Sequence, residues 1–246
     1  MKRFYKDVTI APVVGLAEAE QEFQILLDGK PMKTPAKENL VLPNEAMAQL
    51  IADEWQAVEK DSEIDPAKMY HTQVAVTAQD YVSKNRMDIQ SVIMRYLDTE
   101  LMCYHTPEPP EMAKHQAEHW TPHLGWFEKE MSITLPVKQG LDVHRPSDED
   151  YKKIVDFMET LDMYHFSLFQ MLVSMTGSIV LACAFVKSAL SAEEIFKLAK
   201  LEELFYIDFH DLEQHGPDPI QDKSFTQLKA ELAACESCLK TLHINE

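Results

Sequence analysis

Glycine, cysteine and positive charge are all scarce in this sequence. Its 246 residues include six glycines, four cysteines, and 23 lysines and arginines against 41 aspartates and glutamates, which gives a formal net charge of −18. Because so acidic a surface repels polyanions, nucleic acid and anionic membranes are poor partners. The low glycine content and the hydrophobic fraction of 46% exclude a fibrous or broadly disordered chain, and they predict one large domain or two smaller ones.

The few cysteines and the N-terminal residues indicate the compartment. Four unevenly spaced cysteines in a chain of this size are typical of a reducing environment. The opening segment MKRFYKDVTI lacks the apolar run of a secretory signal and the Ser- and Arg-rich character of an organellar transit peptide. These features predict a bacterial cytoplasmic protein, or a mature form whose transit peptide is absent.

Several common catalytic motifs are absent as well. The sequence contains no G-x-G-x-x-G, no P-loop and no G-x-S-x-G, so nucleotide binding and a serine nucleophile have no support. The pairs Glu193-Glu194 and Glu202-Glu203 consist of adjacent residues, and adjacent positions of a helix do not face each other. They are therefore poor acid–base dyads, and we predict a protein that is not an enzyme and uses no cofactor or nucleotide.

The spacing of apolar residues predicts an α+β fold. Strand-like runs cover residues 4–10, 23–27 and 40–42. Asp28-Gly29 is a hairpin signal, because both turn positions require positive φ. From Pro43 onward the apolar period changes from two to 3.6. We predict a strand-rich unit with helices over residues 1–84 and a mainly helical domain over residues 85–246.

Capping residues mark several of the predicted helices. Asn44, Ser147 and Ser191 precede apolar-periodic runs, and Asp65-Pro66 places proline in a first helical turn. The remaining helices are predicted over residues 85–104, 111–131 with an interruption at Pro122, 148–161, 166–186, 192–212 and 225–242.

Residues 166–186 contain no charge over 21 positions, which meets the length criterion for a membrane span. The segment nevertheless includes Ser174, Thr176, Gly177 and Ser178, and no basic cluster flanks it. A helix that is apolar on all sides is equally typical of the centre of a bundle. We predict one core helix, with Thr176-Gly177-Ser178 as a notch where neighbours pack closely, and no membrane insertion.

Two groups of potential metal ligands allow an alternative function. His115 and His119 are spaced i, i+4, which suits a zinc site in a metal-dependent hydrolase, but the glutamate of an H-E-x-x-H motif is replaced by Gln116. Cys235 and Cys238 form a lone C-x-x-C on a predicted helix, without the second pair of a zinc site. We favour solvated histidines and buried helical thiols.

Aromatic and acidic residues suggest a surface for a protein client. Trp120 and Trp126 lie close together in the sequence, and Glu202 and Glu203 share a predicted helix with Phe205. The aromatic residues are equally consistent with a core position, whereas an apolar patch beside acidic groups would suit capture of a protein segment.

An ordered set of motifs resembles the ATP12 family of chaperones, the assembly factors for the F-one head of ATP synthase. The motifs are LLDGKPMKTP at 26–35, IADEWQ at 51–56, TAQD at 77–80, YLDTELMCY at 96–104, Gln116 followed by Trp120, Pro122 and Trp126, TGSIVLA at 176–182, and LEE at 201–203.

This resemblance implies a chaperone that binds the free α subunit of the F-one head and shields the surface that later faces the β subunit. It further implies the bacterial cytoplasm, or the mitochondrial matrix in a eukaryote. An acidic residue that the family needs for activity falls on Glu203 by position. The family's glutamine after this acid is replaced by Tyr206, and its Trp-Gly pair has only His215-Gly216 as a counterpart.

Overall fold

The structure is a computed structural model that describes residues 2–15, 21–139, 145–209 and 219–242. The chain divides into two compact units, one of Met1–Asn85 with Ala234–Glu246, the other of Arg86–Ala233. The sequence predicts the helical domain over residues 85–246, which include residues 234–246. The α+β fold class is confirmed, because a small sheet near the N-terminus is followed by helices.

The sheet of the first unit is built around one central strand. Its strands are β1 (Val8–Pro12), β2 (Phe23–Leu27), β3 (Lys30–Pro31) and β4 (Val41–Leu42). Strand β2 pairs antiparallel with each of the other three. The predicted hairpin turn is confirmed, since Asp28 and Gly29 both have positive φ, at 50° and 77°.

Helices complete the first unit. They are α1 (Glu45–Gln56), α2 (Tyr70–Val76) and, after a π-helical stretch at Thr77–Val82, the start of α3 (Ser83–Asp98). The Asn44 side chain accepts a hydrogen bond from the Met47 amide and so caps α1 as predicted. Fully buried apolar side chains of β2, β4 and α1 form the core, among them Ile25, Leu42 and Ile51.

The second unit is almost entirely helical. It contains most of α3 and then α4 (Pro110–Met131), α5 (Asp148–Thr160), α6 (Met163–Thr176), α7 (Ile179–Val186), α8 (Ala192–Ala199), α9 (Leu201–Phe209) and the first part of α10 (Pro219–Leu242). Strands β5 (Tyr104–His105) and β6 (Lys138–Gln139) form a short parallel pair. The interruption predicted at Pro122 is wrong, because α4 continues through that proline.

The uncharged segment 166–186 is a core element, but it is two helices rather than one. Gly177 ends α6 with a φ of 72°, and the Ser178 hydroxyl then accepts a hydrogen bond from Leu181 and caps α7. All eight residues of α7 are buried. Within the described residues, no helix is long and apolar enough to cross a membrane.

The helix predicted over residues 192–212 is also divided. Ser191 begins α8 with a capping box, as its sequence indicates, but α8 ends at Ala199 and α9 begins at Leu201. Residues 210–212 of the predicted helix and the pair His215-Gly216 lie outside the described residues.

Candidate functional site

A buried glutamine joins α4 to α9. The side chain of Gln116 is fully buried, and its Oε1 accepts a hydrogen bond from the Thr106 amide at 2.8 Å. Its Nε2 donates to Oε1 of Glu202 at 2.5 Å. Because both ends of the amide have partners, Gln116 is fixed in orientation and holds the Glu202 carboxylate in one place.

Glu202 is only partly withdrawn from solvent. Burial raises the pKa of its carboxyl group above the ordinary value, the neighbouring charge of Glu203 raises it further, and the hydrogen bond from Gln116 opposes both. A half-buried carboxylate with one strong donor retains capacity to accept more hydrogen bonds. A cation or amide from another protein could therefore bind there.

Glu203 follows Glu202 on α9 and is also partly exposed. Its Oε1 is 2.8 Å from Nζ of Lys200, and both side chains are partly exposed. Exposed ion pairs of this kind contribute about 0–1 kcal/mol to stability. Glu203 can therefore exchange Lys200 for a client's basic group at little cost to the fold.

A cluster of aromatic rings lies on the same two helices as Gln116 and these acids. The ring of Phe205 is 5.4 Å from that of His115 and 5.7 Å from that of Tyr206. The ring of His115 is 4.2 Å from that of His119, and Tyr206 is 39% exposed. We call the set His115, His119, Glu202, Glu203, Phe205 and Tyr206 the α4–α9 face.

The two tryptophans of α4 have different environments. Trp120 is 1% exposed, and its Nε1 donates to the Leu198 carbonyl at 3.0 Å. The structure therefore corrects the prediction of Trp120 as a client contact, since the side chain belongs to the core. Trp126 is half-buried, and its i, i+7, i+11 spacing from His119 and His115 places it on the same side of α4.

The histidine pair has no ligand set for a metal. Nδ1 of His119 lies 2.9 Å from the His115 carbonyl one turn earlier in the same helix. Among the described residues, no three or more His, Cys, Asp or Glu side chains are grouped so that they could hold a metal ion. The metal-dependent hydrolase considered from the sequence therefore has no support in this part of the chain.

A buried carboxylate in the second unit escaped the sequence analysis. Glu100 is 1% exposed, and its two oxygens accept four hydrogen bonds. The donors are the Ser178 hydroxyl at 2.5 Å, the Ile179 amide at 2.7 Å, and the amides of Val180 and Met102, both at 3.3 Å. Glu100 therefore fixes the N-terminus of α7, where unpaired amides and the helix dipole favour an anion.

Glu100 and the residues of α7 that bind it belong to two of the motifs on which the family resemblance depends. Glu100 belongs to YLDTELMCY and three of its four donors to TGSIVLA, so one hydrogen-bonded cluster links two motifs that are 78 to 80 residues apart. An acidic residue directly before the run Leu101-Met102-Cys103 was the available signal. The spacing of residues near Glu100 does not indicate that its hydrogen-bond donors lie at the start of α7.

Two motifs of the first unit likewise contain side chains that hydrogen-bond to backbone groups distant in the sequence. The Glu54 carboxylate of IADEWQ accepts hydrogen bonds from the amides of His71 and Thr72 and from the Thr72 hydroxyl. In TAQD, Gln79 binds the backbone of Val41, and Asp80 that of Ala36. These motifs join distant segments of backbone, so the resemblance reports chiefly on the fold.

The C-x-x-C motif agrees with its structural interpretation. Cys235 and Cys238 are both buried on α10, and neither forms a disulfide. Burial raises the pKa of Cys238 to about 12, which makes this thiol a poor nucleophile and metal ligand at neutral pH.

Comparisons with known proteins agree with this architecture. A family model described as "ATP12 chaperone protein" matches residues 2–128. "Protein atp12, mitochondrial" of Schizosaccharomyces pombe is 24% identical over 212 residues, which are 82% of this chain and 70% of the yeast protein.

Two solved bacterial structures resemble the chain over nearly its whole length. The Atu1473 protein of Agrobacterium tumefaciens has a TM-score of 0.85 at 30% identity, covering 98% of this chain and 86% of that one. Atp12 from Paracoccus denitrificans has a TM-score of 0.80 at 28% identity, covering 100% and 98%. A variant of the Paracoccus protein with an aspartate replaced by lysine matches equally well.

Proposed function

The chain belongs to the ATP12 chaperone family, and we propose that it assists assembly of the ATP synthase F-one head by binding the free α subunit. The observation that carries this proposal is the family match, together with a fold shared along the whole chain with Atp12 from Paracoccus denitrificans. Family membership implies a chaperone rather than an enzyme. Binding of a folded client subunit requires no nucleotide, in keeping with a sequence that has no phosphate-binding loop.

We propose the α4–α9 face with Trp126 as the client-binding surface. A holding chaperone needs an exposed apolar area that is complementary to a client surface. Phe205 and Tyr206 provide aromatic area here, and Glu202 and Glu203 add negative charge beside it. The client surface covered would be the one that later faces the β subunit, so the β subunit would displace the chaperone by competition.

The compartment follows from the proposed client. The yeast relative is described as mitochondrial, and the two solved relatives come from bacteria. We propose that the protein works where F-one heads assemble, which is the cytoplasm of a bacterium or the mitochondrial matrix of a eukaryote.

The function is tested by aggregation of the isolated α subunit, measured by light scattering with and without the chaperone. We expect the wild-type chain to suppress aggregation and to form a complex in size-exclusion chromatography. A correctly folded chain that neither binds nor protects the α subunit would refute the proposed function.

The site is tested separately by charge reversal. Glu203→Lys should weaken protection at least fivefold, because it places a cation where a basic client group would bind. Glu193→Lys is the matched control, since Glu193 pairs with Lys197 on the exposed side of α8 in a similar intrahelical ion pair. If both variants protect equally well while the wild type binds the α subunit, the chaperone function stands and the α4–α9 face is the wrong surface.

A further inference from the structure

A cleft in the first unit is distinct from the α4–α9 face. It has a volume of about 430 Å³ and lies between the β2–β3 hairpin, the N-terminal residues Phe4 and Tyr5, and Trp55 of α1. Cavities of about 300–1,000 Å³ are typical of sites that bind small ligands or single side chains. The cleft shares no residue with the proposed client-binding surface.

One wall of the cleft is aromatic and firmly held. The Tyr5 ring is 5.5 Å from the Trp55 ring, and the Tyr5 hydroxyl donates to the Trp55 carbonyl at 2.7 Å. The Phe4 ring packs edge-on against Tyr5 at 5.4 Å, yet Phe4 is 61% exposed. A large aromatic side chain held at a cleft and open to solvent offers a stacking surface for another ring.

The rim of the cleft is basic although the chain is strongly acidic. Lys30 and Lys33 line the cleft and are exposed, and neither forms an ion pair with a described residue. Asp28 also lines the cleft, and the amides of Lys6 and Asp7 that donate to its Oδ1 hold the pKa of its carboxyl group below the ordinary value. This one negative charge leaves the rim with an excess of one positive charge, and Asp28 forms no ion pair with Lys30 or Lys33 among the described residues. Two ammonium groups are therefore available beside an aromatic wall.

We propose that this cleft binds a short acidic peptide segment of a protein partner, with an aromatic side chain of that segment inserted against Phe4. The ammonium groups of Lys30 and Lys33 would pair with carboxylates on either side of the inserted ring. Exposed charges interact over about one Debye length, roughly 8 Å at physiological salt. The few carboxylates of a short peptide bound in the cleft would therefore interact mainly with Lys30 and Lys33 and only weakly with more distant acidic residues of the protein. A long nucleic acid also meets the net charge of −18, which opposes its binding.

The test uses a blocked hexapeptide of one phenylalanine among five glutamates, titrated into the whole protein and followed by ¹H–¹⁵N NMR. We expect saturable shifts of the amide signals of Lys30, Met32 and Lys33, which weaken as salt is raised. The double variant Lys30→Glu/Lys33→Glu should lose at least tenfold in affinity and Phe4→Ala several-fold. A peptide with alanine in place of phenylalanine should bind more weakly than the probe.

The control double variant is Lys60→Glu/Lys68→Glu, which changes the net charge equally at exposed positions that do not line the cleft. It should bind the peptide as the wild type does, and all variants should retain the wild-type far-UV CD spectrum.

Loss of affinity in this control equal to that of the Lys30/Lys33 variant would overturn the proposal. Shifts that map elsewhere in the protein, or no saturable shift at millimolar peptide, would also overturn it. Tighter binding of a thymidine hexanucleotide with the same shifts would identify a nucleic-acid site instead.

Discussion

Glu100 and Glu202 belong to the same helical unit and differ in how completely they are satisfied. Burial raises the pKa of both carboxyl groups, for Glu100 to about 7. Glu100 is enclosed and accepts four hydrogen bonds, whereas the Glu202 carboxylate accepts one hydrogen bond from the described residues, donated by Gln116.

This difference separates a structural acid from one suited to binding. A carboxylate whose acceptor positions are all used has nothing to offer a partner, and its removal leaves buried donors unpaired. A half-buried carboxylate that is held by one fixed donor keeps free acceptor positions toward solvent. An acidic side chain with a raised pKa is therefore not by itself a sign of a binding site. The number of hydrogen-bond donors that the carboxylate already has within the protein distinguishes the two cases.

The largest effect should come from Glu100→Ala. This substitution leaves the Ser178 hydroxyl and the amides of Ile179 and Val180 without their acceptor inside the core, and each such group costs about 1–3 kcal/mol. We expect the free energy of unfolding to fall by about 3–5 kcal/mol in urea denaturation. Glu202→Ala leaves one buried donor, Nε2 of Gln116, without its acceptor, so it should cost about 1–2 kcal/mol. Equal losses in the two variants would remove the distinction between the two acids.

The pH dependence of stability gives the second test. The pKa of Glu100 is about 7 in the folded state against an ordinary value of 4.5, so the folded state binds the proton more tightly. Protonation of Glu100 therefore adds to the free energy of unfolding by at most about 3 kcal/mol. This contribution is fully present below pH 4.5 and is lost as the pH rises through 7.

Glu100→Gln removes this titration. The difference in unfolding free energy between the wild type and Glu100→Gln should therefore shift against the wild type between pH 4.5 and 7, as measured by urea denaturation at each pH. A difference that stays constant over this range would contradict the raised pKa. Glu202→Gln should show the same sign with a smaller amplitude, since solvent screens a partly exposed group.

The smallest effect should come from Gln116→Ala. The change leaves the Thr106 amide without its acceptor and removes the hydrogen bond to Glu202, so we expect a loss of about 1–2 kcal/mol. It should also raise the pKa of Glu202, because the bond from Gln116 favours the charged form; ¹³C NMR titration of the carboxyl group measures this. Gln90→Ala is the control, since Gln90 bonds to Glu159 at an exposed position and should change stability by less than about 0.5 kcal/mol. An equal loss in both variants would show that Gln116 does not fix Glu202.

Local signals were sufficient for much of the fold. The Asp28-Gly29 turn and the caps at Asn44 and Ser191 formed as predicted, because each depends on backbone angles or hydrogen bonds within three or four residues. The break at Gly177-Ser178 carried a local signal too, since glycine often ends a helix and serine often begins one. The absence of charge across 166–186 concealed it.

The sequence by itself determined the strand-rich and helical parts, the apolar character of 166–186 and the family resemblance. The tertiary structure alone decided that Trp120 is core while Trp126 is half-buried, that α4 continues through Pro122, and that Glu100 is enclosed while Glu202 is partly exposed. The reason is that these features depend on interactions between residues that are far apart in the sequence. Gln116 and Glu202 are 86 residues apart, and no spacing along the chain states which distant groups will share a hydrogen bond.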